Sequence, residues 1–255
     1  MSSINSERSY PISPWLTRLL WSGVIVLTLI GVVASIGRGL FVDDMGVRME
    51  PARERVLDSF RREDPFPAQR ASEVHRFDSR FAAHPVMTLL HVLAGGVFLI
   101  LALFQFSPRI RRRHVRFHRW SGRFLVLIAF LAVVSGAFFG IRIPFSGRAE
   151  AGIIAFVAAS FLFSMSLAVV AIKRHEVARH REWMIRSFAM AIGVSTVRVV
   201  GLALDLTLTP AGVSPAEVFV HSLWIGWVLT LGAAELWIRY TRTVSFRDNF
   251  SAVRG

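Results

Sequence analysis

Six stretches of this chain are apolar on every side for the length of a membrane crossing. They run about Trp15 to Ile36, His84 to Phe106, Ser121 to Ile141, Ala149 to Ile172, Trp183 to Leu206 and Pro215 to Tyr240. A soluble helix alternates an apolar face with a polar one, and these runs do not. At 1.5 Å rise per residue each is long enough to cross a hydrocarbon core of about 30 Å. Backbone groups inside lipid must bond within their own segment, so the runs predict helices. The expected fold is all-α: one polytopic membrane domain, residues 1–255, with six transmembrane helices. The mean hydropathy of +0.50 agrees, being too high for a soluble domain of this length.

The loops predict the orientation. Arg109 to Arg119 and Lys173 to Arg181 are dense in basic residues, whereas the turns near Pro144 and Pro210 carry few or none. Basic short loops stay cytoplasmic, which puts both termini inside and residues 37–83 outside. The expected location is a bacterial inner membrane. The same pattern accounts for the net charge of +13, so anionic lipid head groups at the cytoplasmic face are the expected partners and nucleic acid is not. The first run is longer than a signal-peptide core and reads as a retained helix. The absence of cysteine excludes disulfides and thiolate chemistry.

Residues 37–83 form the longest polar segment. Pro51, Val56 and Phe60 fit one short helix. Ser72 fits the cap of a second, which places Val74, Phe77 and Phe81 along one side. The breaker Asp64-Pro65-Phe66-Pro67 separates them. Both are expected as amphipathic helices on the membrane surface.

Ionisable residues inside spans are costly and mark candidate sites. His84 and His91 are seven apart on one helix face, about 10 Å along the axis. His221 enters the sixth span at the same outer level. If spans two and six are neighbours, His91 and His221 face each other as haem iron ligands would, and a metal ion or a quinone head group would also fit. Arg198 and Asp205 lie in the same leaflet on span five. Arg198 needs an acceptor there: Asp205, a ligand carboxylate or a haem propionate.

A second group gathers at the basic end. His118-Arg119-Trp120-Ser121-Gly122-Arg123 opens span three, and His180-Arg181-Glu182-Trp183-Met184-Ile185-Arg186 opens span five. The two echo each other. Side by side they would make a cationic, aromatic-rimmed pocket from His118, His180, Arg123 and Arg186. Phosphate, a lipid head group or haem propionates would suit it. Glu235 is expected to pair with Arg123 or Arg186, or to relay protons. Gly136 and Gly140 permit close helix approach. Phosphate-loop, dinucleotide-binding, zinc-protease and serine-hydrolase signatures are absent.

His84-Pro85, Leu90-His91, Gln105-Phe106 and the two His-Arg motifs resemble the bacterial membrane-protein family known as domain of unknown function 2306, over roughly residues 84 to 240. That resemblance implies a polytopic membrane protein and no assigned reaction. The layout is also loosely similar to di-haem cytochromes b and ferric-reductase-like bundles, but span four holds no histidine. The leading expectation is a redox-type electron-transfer protein that binds haem b or quinone through His91 and His221, balanced by Arg198 and Asp205. It would have a redox partner. The alternatives are a transporter or lipid-binding protein with a polar path through Arg198, Asp205 and Glu235, or a structural subunit of a membrane complex.

Overall fold

A computed structural model describes residues 13–40 and 67–253. The short helix expected near Pro51 lies outside the described residues. Eight helices follow in order: α1 (Pro14–Leu40), α2 (Pro67–Ala82), α3 (Pro85–Phe106), α4 (Pro108–Arg113), α5 (Val115–Ala137), α6 (Gly147–Lys173), α7 (Val177–Leu208) and α8 (Pro215–Val253). All but α2 and α4 are long and apolar enough to cross a membrane, so the six expected spans are present.

Several helices outrun the apolar windows that foretold them. The α5 helix starts at Val115 and takes in His118, Arg119 and Trp120. The α7 helix starts at Val177 and takes in His180. Arginine, tryptophan and histidine are tolerable helix formers, so a helix need not stop where its sequence turns polar. The α5 helix ends in a π-helical turn, Phe138–Arg142.

The longest seam joins α7 to α8. The α3 helix packs on α5, α6 on α7, and α1 on α3 with a shorter contact to α7. Small residues set the closest approaches. A Cβ on Gly31 would stand 2.5 Å from Leu99 and 2.6 Å from Ser195, which pins α1 to α3 and α7. Phe98, Leu125, Ile128, Phe161, Phe188 and Met190 are buried together in the main core. Leu29, Val33, Phe156, Phe163 and Leu236 stay exposed, a surface suited to acyl chains rather than water.

The α2 helix departs from its expected setting. It begins at Pro67, whose missing N–H is harmless in a first turn, so Ser72 lies inside the helix and not at its start. Val74, Phe77 and Phe81 do share a side. Val74 is buried, and Phe77 packs on Phe145 and Phe219 with ring centroids 5.2 and 5.4 Å away. The helix docks on the end of the bundle opposite α4, rather than lying on lipid alone.

Candidate functional site

Ion pairs fasten α2 across that end. Arg70 donates to Asp205 of α7 at 2.6 Å. Asp78 accepts from Arg38 of α1 at 3.1 Å. Arg80 donates to Glu150 of α6 at 3.0 Å and to the Ile143 carbonyl at 3.3 Å. Glu73 accepts from the Ala216 N–H at the start of α8, 3.3 Å away. Arg70, Asp78 and Glu150 are buried. A buried charge stays charged only with a partner, so each pair fixes where α2 sits. Burial pushes the Arg80 guanidinium below its ordinary value, and Glu150 pulls it back up.

Just below this cap, His91 of α3 is held against α5. Its Nδ1 lies 2.9 Å from the Ala132 carbonyl. A carbonyl can only accept, so Nδ1 carries the proton and Nε2 presents a lone pair. Gly136 makes the room: a Cβ there would stand 2.7 Å from the imidazole. Gly136 therefore serves the histidine, whereas Gly140 faces Ile154 of α6. Gly136→Ala is expected to lower thermal stability by about 1–2 kcal/mol. Added to His91→Ala it should have far less effect, because the colliding ring is gone. Additive losses in that double-mutant cycle would mean that Gly136 is not there to admit the ring.

Arg198 and Asp205 do not pair. They stand two turns apart on α7, and Asp205 is engaged by Arg70 and by the Thr209 hydroxyl at 2.9 Å. The Arg198 guanidinium folds back on the Val194 carbonyl, 2.9 Å away. Its side chain is exposed and within electrostatic reach of Arg38 and His91. Three cationic or basic groups from α1, α3 and α7 thus meet in one region of an apolar bundle.

His221 lies elsewhere. Its ring is exposed, and Nδ1 bonds the Glu217 carbonyl of its own helix at 2.7 Å. The α3 and α8 helices do not pack along one another, so His91 and His221 have no common partner among the described residues. The facing pair pictured from sequence is not formed. His84 precedes the first turn of α3 without capping it and sits edge-on to Phe138, centroids 5.1 Å apart. No group of three or more His, Cys, Asp or Glu able to hold a metal occurs among the described residues.

At the α4 end the two echoing motifs build the same small unit twice. Arg123 lies over Trp120 at 5.6 Å, and Arg186 over Trp183 at 4.6 Å. The three-residue step places each arginine above its tryptophan on one helix face. Glu235 takes Arg186 in two hydrogen bonds, 2.5 and 3.0 Å. The α5 and α7 starts do not pack together, so the two stacks remain separate. His118 and His180 nevertheless come within electrostatic reach. His180 bonds the Ala168 carbonyl at 2.9 Å, while the buried Nδ1 of His118 has no hydrogen-bond partner among the described residues.

A family model described as predicted membrane protein, domain of unknown function 2306, matches residues 88–238. The chain belongs to this family. No curated protein and no solved structure matches it. The 2306 domain takes in α3 from Thr88 and reaches Ile238 of α8. His91, Arg198, Glu235 and both His-Arg motifs therefore fall inside it. Arg38, Arg70, Asp78 and Arg80 fall outside the matched residues, so the ion-paired cap joins the 2306 domain to the chain before it.

Reasoning from sequence passed over Arg38, Arg70, Asp78, Arg80, Glu150 and the Glu182–Arg242 pair. One signal was there. Arg70, Val74 and Asp78 recur at four-residue steps on the face that becomes buried.

Proposed function

We propose that the protein is a membrane-embedded binding protein for an anionic amphiphile, held at the capped end of the bundle by Arg198 and His91. The carrying observation is Arg198: a guanidinium within an apolar helix, exposed, with one backbone carbonyl as its hydrogen-bond acceptor. A charge at such depth costs about 2.5–3.5 kcal/mol or more when uncompensated. Asp205 does not offset it, being held by Arg70. An anionic head group at Arg198 would supply the missing charge, and the exposed apolar flanks of α1 and α3 suit its tail. On the positive-inside reading this is the outer leaflet.

A second reading rests on His91. With Nδ1 fixed on Ala132, Nε2 is an acceptor beside a guanidinium, a pairing that also suits a quinone or quinol. It ranks second because a neutral quinone leaves the Arg198 charge uncompensated. Haem through two facing histidines finds no support in the separate neighbours of His91 and His221.

Organic extraction of the full chain purified in mild detergent, followed by mass spectrometry, tests both readings. The expected result is an anionic amphiphile near one equivalent, reduced more than tenfold in Arg198→Ala. Bound quinone lost in His91→Ala would establish the second reading in place of the first. Protein carrying neither, and unaltered by either substitution, would overturn both.

A further inference from the structure

A separate cavity opens at the α4 end, between the end of α6, the start of α7 and Arg242 of α8. It is about 540 Å³ in volume, and Arg174, Arg179, Arg186 and Arg242 line it against Glu176 and Glu182. With Glu235, which reaches in to Arg186, three glutamates meet these four arginines and leave one guanidinium charge in excess. Glu176 is taken by Arg179 at 3.1 Å, Glu182 by Arg242, and Arg186 by Glu235. Arg174 makes no ion pair among the described residues. The inner wall is apolar: Leu167, Val170 and Ala171 of α6.

A second hollow lies on the α5 side of α6. It is about 360 Å³, and Ala129, Phe130, Phe161 and Ser166 are among its almost wholly apolar lining. Val170 lines both spaces. A cationic chamber at the helix ends and an apolar groove that runs along the bundle toward its middle thus adjoin at this one side chain. Inorganic phosphate would use the chamber and leave the groove unused. A neutral lipid would use the groove and leave the excess arginine charge unmatched. A phospholipid with an anionic head group uses both.

We infer that this cavity and groove form a binding site for an anionic phospholipid, with the head group among Arg174, Arg179 and Arg242 and an acyl chain passing Val170 into the groove between α5 and α6. The site stands on residues distinct from Arg198 and His91 and does not rest on the reading of the other end.

The test uses full-length protein in the Arg198→Ala background, delipidated in neutral detergent, so that the opposite end cannot supply the signal. Native mass spectrometry then follows titration with phosphatidylglycerol, phosphatidylcholine or inorganic phosphate. Phosphatidylglycerol is expected to bind at least tenfold tighter than phosphatidylcholine. Arg174→Gln with Arg179→Gln should weaken it by about tenfold or more. Arg112→Gln with Arg113→Gln removes the same charge from α4 and should leave it within about twofold. Ser166 is exposed in the groove, so Ser166→Trp should weaken the long-chain lipid and spare a water-soluble glycerophosphate head group. Equal losses from the two arginine pairs would reduce the effect to general surface charge and overturn the site. Inorganic phosphate competing as well as lipid, or Ser166→Trp without effect, would overturn the lipid assignment.

Discussion

Glu150→Ala is expected to unfold at far lower temperature than the parent, a loss equivalent to about 3–5 kcal/mol. Glu150 is 1% exposed and accepts from Arg80 and from the Ser146 N–H at 2.7 Å. Its loss strands two donors at once. Arg80 already has a buried Nε with no hydrogen-bond partner among the described residues, so little remains to solvate the cation once the carboxylate is gone. The exposed Glu176–Arg179 pair gives the contrast: Glu176→Ala should shift stability by less than about 1 kcal/mol, because water replaces the partner. Replacing both members, Arg80→Met with Glu150→Leu, should recover most of the loss, since two apolar groups leave no orphaned charge. Hydrogen exchange should localise the damage. In Glu150→Ala the α2 amides should exchange much faster while the α7–α8 seam stays protected. A Glu150→Ala protein within about 1 kcal/mol of its parent would show that α2 is not held by this pair.

That ion pair also shows where sequence reasoning reaches its limit. All-round apolarity is a local property, so the six spans were legible, and so was the amphipathic side of α2 carrying Val74, Phe77 and Phe81. The His-Arg motifs carried the family resemblance that the match to residues 88–238 bears out. The His-Arg-aromatic-Arg echo was legible, but not the stacking of Arg123 and Arg186 each on its own tryptophan in place of one shared pocket. Partners across the bundle were not. Arg80 finds Glu150 seventy residues away, and Arg70 finds Asp205 at 135. No periodicity encodes such a match. The same blindness brought His91 and His221 together on paper, since their pairing required α3 and α8 to be neighbours. Glu150 lies in the first turn of α6, and only the docking of α2 over it makes it a buried anchor.

Helix neighbours are decided by where backbones can approach, and a glycine set directly against a neighbouring backbone yields the second large effect. Gly226→Ala is expected to lower stability by about 2–3 kcal/mol, and Gly226→Leu to abolish recovery of folded protein. A Cβ at Gly226 would stand 2.7 Å from the Val197 side chain and 2.8 Å from its Cα and N. Backbone cannot rotate aside as a side chain can, so the α7–α8 seam would have to open. Opening it strains the Trp227 indole bond to the Met190 carbonyl, 2.9 Å, and the Thr230–Thr196 hydroxyl bond, also 2.9 Å. Farther along, it draws Glu235 from Arg186 and disturbs the cationic cavity. Gly232 makes the control, since nothing lies within 4 Å of its added Cβ and Gly232→Ala should be neutral or slightly stabilising. Thermal unfolding in one detergent, with lipid binding followed in parallel, separates the outcomes. Equal stability of the two alanine variants would mean that α7 and α8 do not approach at Gly226. Loss at Gly226 alone, with phosphatidylglycerol binding weakened in step, would tie the seam to the cavity that it helps to shape.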